Sequence, residues 1–120
     1  MSWEYSQSTG VLTHNGNFFA KGYSGSGNGI NNPALESVPR KGPIPKGKYR
    51  ITGAHNTVTP VTIILTPVAG TNTFGRDNFR IHGGSRSGAM TASKGCIIIN
   101  GAENRQHIMN SKDTLLVVRP

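Results

Sequence analysis

The chain has 120 residues, with 13 Lys and Arg against 5 Asp and Glu for a net charge of +8, and only one cysteine. That length makes a single domain, residues 1–120, with a real core and no room for a second. One cysteine excludes an internal disulfide, no apolar run reaches the roughly 20 residues of a bilayer span, and Met1-Ser2-Trp3-Glu4-Tyr5 lacks the basic start and apolar stretch of a signal peptide. The expectation is a protein made soluble, with no membrane insertion.

The positive charge favours a polyanionic partner, but the basic residues are dispersed apart from a modest cluster between Arg40 and Arg50. Aromatics do not alternate with them as a base-stacking surface requires, so no nucleic acid partner is expected.

In chain order, the 16 glycines and 7 prolines with little helical periodicity predict a mainly β fold. Strands are expected near Trp3 to Ser6, Val11 to Thr13 and Phe18 to Gly22, with Asn15-Gly16 as the hairpin turn between the second and third. From Tyr23 to Lys48 the pattern is a long loop, and loops of that length in a compact domain are usually functional or disordered. It contains two decoys. Gly25-Ser26-Gly27-Asn28-Gly29 lacks the spacing and βα context of a dinucleotide loop, and Gly42 to Lys48 has prolines where a phosphate loop needs N–H donors. Pro43-Ile44-Pro45 instead stiffens the approach to the next strand. Further strands are expected at Tyr49 to Ala54, Val61 to Leu65, Phe79 to His82, Cys96 to Ile99 and Leu115 to Val118. One short helix, Ala102 to Asn110, has sparse apolar positions, which predicts a surface helix.

Few groups in this chain can do covalent chemistry. Glu4, Glu36, Asp77, Glu103 and Asp113 form no obvious pair, which disfavours a two-carboxylate glycosidase. His14, His55, His82 and His107 show no zincin spacing and one cysteine cannot build a thiolate cage, so neither a metal nor a cofactor is expected. Cys96 in Ser93-Lys94-Gly95-Cys96-Ile97 follows His82 of Ile81-His82-Gly83-Gly84 by fourteen positions. A lone cysteine is ordinarily a small core hydrophobe. Here Gly95 permits close approach, and Ser93 and Lys94 put a hydroxyl and a cation beside the sulfur. The chemistry these residues permit is acyl transfer: Cys96 as nucleophile, His82 as base, and backbone N–H groups near Gly95 and Cys96 as an oxyanion site. The Gly83 carbonyl is the natural group to orient His82.

Histidine before cysteine, at this short interval, excludes the papain-like order. Phe79-Arg80-Ile81-His82-Gly83 followed by Ser93-Lys94-Gly95-Cys96-Ile97 resembles the YkuD-type L,D-transpeptidase motif, an H-G and then S-x-G-C-[IV]. A wider likeness runs through Trp3-x-Tyr5-x-Gln7-Ser8-Thr9-Gly10-x-Leu12, Gly22-Tyr23-Ser24-Gly25, Asn31-Asn32-Pro33 and Gly42-Pro43-Ile44-Pro45-x-Gly47-x-Tyr49. It is similar to the small antibacterial type VI secretion effectors with an L,D-transpeptidase-like domain. The resemblance implies a single compact L,D-transpeptidase-like β-sandwich with long loops and one short surface helix. It implies action on peptidoglycan stem tetrapeptides as an L,D-carboxypeptidase or L,D-transpeptidase through a Cys96 acyl-enzyme. It also implies synthesis in the bacterial cytoplasm, delivery by the type VI secretion machinery, action in the periplasm of a target cell, and a periplasmic immunity protein as partner.

Two positions depart from the family's S-H-G-C-[IV]-R. Lys94 replaces the second histidine and Ile98 the arginine. Arg76 is therefore expected to fork the substrate carboxylate, with Arg80 and Arg86 left as solvated charges. Tyr23, Ser24 and Asn32, in the long loop, are expected to border the cleft and contact the stem peptide. The alternative from another class is a non-catalytic basic β module that binds an anionic polymer, with Cys96 buried and inert.

Overall fold

A computed structural model describes residues 2–55, 61–84 and 95–120. Nine strands and one α-helix are described: β1 Trp3–Ser6, β2 Val11–His14, β3 Asn17–Lys21, β4 Tyr23–Ser24, β5 Gly47–His55, β6 Thr62–Pro67, β7 Arg80–His82, β8 Ile97–Ile98, α1 Ala102–Asn110 and β9 Leu115–Arg119. The mainly β expectation is met. Each expected strand is present with its ends shifted by a few residues, and the helix has the expected bounds. The Asn15-Gly16 turn takes positive φ at both residues, 53° and 83°, as a tight hairpin with right-twisted strands requires.

All strands join one sheet in the order β3-β2-β1-β9-β5-β6-β7-β8-β4. Pairs β1/β9 and β7/β8 are parallel and the rest antiparallel. The first and last strands of that order, β3 and β4, are separated in sequence by Gly22 alone, so the sheet must curl until its edges nearly meet. A Cβ on Gly22 would run into the Ile98 carbonyl, and one on Gly10 into the Gly22 carbonyl. Only glycine fits at this seam.

Period-2 alternation fills the inside of the curl. Trp3 and Tyr5 of β1, Tyr49 and Ile51 of β5, Ile63 and Leu65 of β6, and Leu116 and Val118 of β9 are buried together with Ile81, Ile97 and Ile99. α1 lies against β5 and β6. It is less of a surface helix than its sparse apolar pattern predicts, because Arg105 and Ile108 are both buried.

The long loop is also more structured than expected. It begins with β4, which pairs Tyr23 with Ile98 and Ser24 with Ile97, and continues through short 3-10 turns at Gly27–Gly29 and Pro33–Leu35. A two-residue strand has too short a pattern to show periodicity; its partner β8 creates it.

Candidate active site

β7 and β8 carry the histidine and present the cysteine. Their register pairs Ile81 with Ile97 and His82 with Ile98, and the Ile99 N–H donates to the His82 carbonyl at 3.0 Å. Ile81, Ile97 and Ile99 point into the core, so Arg80, His82, Cys96 and Ile98 take the opposite face by alternation. Cys96, one residue before β8, is the diagonal neighbour of His82, a separation of about 7–8 Å in a regular sheet.

The half-buried Cys96 thiol donates to the Asn78 carbonyl at 3.6 Å. Burial pushes its pKa up, against the Arg80 backbone N–H and the charges of Arg80 and Arg76, which pull it down. His82 is 5 % exposed, and burial pushes its pKa down; the Gly83 carbonyl opposes this, and the Arg105 and Arg80 charges add to it. Thiol and imidazole are therefore both held neutral. His82 Nδ1 lies 2.9 Å from the Gly83 carbonyl. A carbonyl only accepts, so Nδ1 carries the hydrogen, and Nε2 keeps the lone pair that a base needs.

Gly95 has a different reason from the one its sequence neighbours suggest. At φ +121° it is wedged against the Arg76 guanidinium, where any Cβ would overlap Nη2. Ser24 approaches it too: Ser24 Oγ accepts the Ile44 N–H at 2.9 Å and donates to the Gly95 carbonyl at 3.5 Å. The glycine before Cys96 lets the long loop pack directly behind it.

Arg76 does not stand open as a carboxylate fork. Its Nη1 donates to the Pro43 carbonyl at 2.8 Å and to that of Glu36, and its Nη2 to the Gly42 carbonyl at 3.0 Å. The guanidinium straps residues 36–43 to the Cys96 approach, beside a cleft of about 200 Å³ lined by Pro39, Arg40, Gly75, Arg76 and Asp77. Tyr23 and Ser24 are likewise buried, behind Cys96 rather than bordering open space. Asn32 caps its own 3-10 turn, accepting from the Ala34 N–H and donating to the Asn28 carbonyl. Ser93 and Arg86 lie outside the described residues.

Arg80 is not the solvated charge that its residue type suggests. It is half-buried on the His82 face, its backbone N–H turned to the sulfur. Strand alternation carries the signal for this, since residues two apart on a strand share a face. Arg105 gives no such signal: a buried arginine on a polar helix is contrary to its residue type. Among the described residues no group of three or more His, Cys, Asp or Glu gathers into a metal cluster.

A family model, the Tlde1 domain, matches residues 19–119, which include β4 through β9 and both Cys96 and His82. The chain belongs to the Tlde1 domain family. That places it among type VI secretion effectors. No curated protein and no solved structure matches the chain. The Tlde1 match begins within β3, so it leaves out β1, β2 and the turn that follows them.

Proposed function

We propose that this Tlde1 domain is an antibacterial cysteine enzyme acting on peptidoglycan stem tetrapeptides as an L,D-carboxypeptidase or L,D-transpeptidase. The reading rests on one observation, a cysteine and a histidine on one face of adjoining parallel strands, with the histidine's Nδ1 committed to Gly83 and its Nε2 left to act as a base.

His82 Nε2 takes the thiol proton as Cys96 Sγ bonds to the carbonyl carbon of the third stem residue. The resulting oxyanion is met by backbone N–H groups near Gly95 and Cys96. Collapse breaks the C–N bond, and His82 returns the proton to the leaving nitrogen of D-alanine, leaving a thioester. Water or an incoming D-amino acid then attacks the thioester, His82 accepting the nucleophile's proton and passing it to the departing thiolate. Water gives a tripeptide and an amine gives an exchanged stem. A neutral thiol beside a neutral imidazole suits base-assisted attack better than a standing ion pair.

Delivery through the type VI machinery brings such an enzyme to the periplasm of a rival cell, and the producing lineage then needs a periplasmic immunity protein. Mass spectrometry of tetrapeptide fragments before and after incubation tests the reading. Stems lighter by one alanine residue, or with alanine exchanged, are expected from the wild-type chain. Cys96→Ala should abolish both with the fold intact, and His82→Ala should lower turnover by about a hundredfold or more. Full turnover by folded Cys96→Ala would overturn the mechanism and favour a basic module that merely binds the polymer.

A further inference from the structure

Arg105 stands on α1 at 3 % exposure, while Glu103, Gln106 and His107 of the same helix face water. Its guanidinium reaches inward to backbone carbonyls, with Nε donating to Val61 at 3.0 Å and Nη1 to Ile99 at 2.6 Å. Two short routes lead from it to His82. Ile99 receives Arg105 on its carbonyl and gives its own N–H to the His82 carbonyl, so one residue is gripped from both sides. Along the other route, a Cβ built on Gly83 would meet Nη1, Nη2 and Cζ at 3.0, 3.2 and 3.3 Å. Those distances put the Nη1–Nη2 end of the guanidinium against the open side of Gly83, the residue whose carbonyl takes the His82 Nδ1 hydrogen. The neighbouring Gly84 N–H is held by Asn100 Oδ1 at 2.8 Å.

We propose that Arg105 is a positioning residue for His82: its guanidinium clamps Gly83 and Ile99, fixing the imidazole ring so that Nδ1 keeps the hydrogen and Nε2 faces the thiol. The consequence for turnover rests on His82 being the base, whereas the clamp itself is observable without any turnover. Charged groups that bear on His82 come from two elements, Arg105 from α1 and Arg80 from β7, and both disfavour the imidazolium. A flat cation packed on a glycine is a fixed support, since the planar fork loses little freedom on bonding.

The test is nitrogen-15 NMR of the histidine rings in the full chain, for wild type, Arg105→Lys and Arg105→Gln, with a thermal melt of each. Wild-type His82 is expected as the single Nδ1–H tautomer. Arg105→Gln should give mixed tautomers and a titration midpoint moved to higher pH, because one of the two cations has gone. Arg105→Lys should keep most of the midpoint but lose the tautomer bias. In both variants kcat on tetrapeptide stems should fall about tenfold or more with KM little changed, as for a misplaced catalytic group. Folded Arg105→Gln with the wild-type tautomer and midpoint overturns the proposal. Should both arginine variants unfold, Gly83→Ala decides, because it displaces the guanidinium by a few tenths of an ångström without removing its charge. An unchanged tautomer there overturns the clamp. If wild-type turnover proves independent of His82, the acyl-transfer reading fails, and the ring spectra still judge Arg105.

Discussion

Arg80 and Cys96 show how much of a cysteine's reactivity is set by backbone placement. Residue 80 faces residue 96 across the β7/β8 register, so both its N–H and its charge favour the thiolate while burial opposes it. Removing that charge leaves burial less opposed. Arg80→Gln should therefore shift the pH profile of Cys96 alkylation by a small reagent to higher pH and slow labelling at neutral pH, with the thiol's backbone contacts preserved. An unshifted profile would assign the thiol's environment to burial alone. Cys96, His82 and the Gly83 carbonyl could be singled out from residue type and spacing, since packing alone seldom demands a nucleophile and a base that are each flanked by glycine. Arg76 and Arg105 could not be placed, because what they bind is backbone carbonyl, and carbonyls carry no sequence signature.

At the scale of elements, the same limit governs strands. A nine-residue strand such as β5 announces itself through alternation and β6 through its apolar run, whereas β4 exists only because Tyr23 and Ser24 find β8. The 23–48 segment likewise reads as loop from its glycines and prolines, and is ordered by contacts from far along the chain. Arg76 supplies three of these contacts, to the carbonyls of Glu36, Gly42 and Pro43. A charge-assisted bond of this kind contributes about 1.5–3 kcal/mol, and stranded buried carbonyls add to the loss. Arg76→Met should cost about 3 kcal/mol or more in denaturant unfolding, and should raise proteolytic cutting within residues 36–43 ahead of global unfolding. Arg76→Lys should recover only part, since one ammonium cannot span three carbonyls as a fork does. Cutting confined to global unfolding in Arg76→Met would show that β4 and the 3-10 turns hold the loop without the strap.

For the whole molecule, the candidate site sits on a sheet that is closed by glycine and buried on both faces at its working strands. His82 and Ile98 lie on the face opposite the core, and yet are buried. This arrangement makes stability depend on pH through the same two groups that the proposed chemistry uses. The unfolded imidazole takes up a proton near its ordinary value of 6.5, while folded His82 resists; protonation thus favours the unfolded chain, and stability falls as pH drops below about 6.5. Cys96 begins the other side, and the buried Tyr5 and Tyr49 hydroxyls, also pushed up by burial, add to it from about pH 10. The unfolded thiol ionises near 9.0 while the folded one is held higher, so ionisation again favours unfolding and stability falls as pH rises past about 9. Maximum stability is expected between those limits, read as the denaturant midpoint across about pH 5 to 10. Cys96→Ala should flatten the alkaline fall near pH 9, ahead of the tyrosines, and His82→Gln the acid one, each leaving the other side in place. A fall near pH 9 that persists unchanged in Cys96→Ala would mean that the thiol ionises as freely in the folded chain as in the unfolded one, and the neutral resting pair on which the proposed base-assisted attack depends would have to give way to a preformed thiolate.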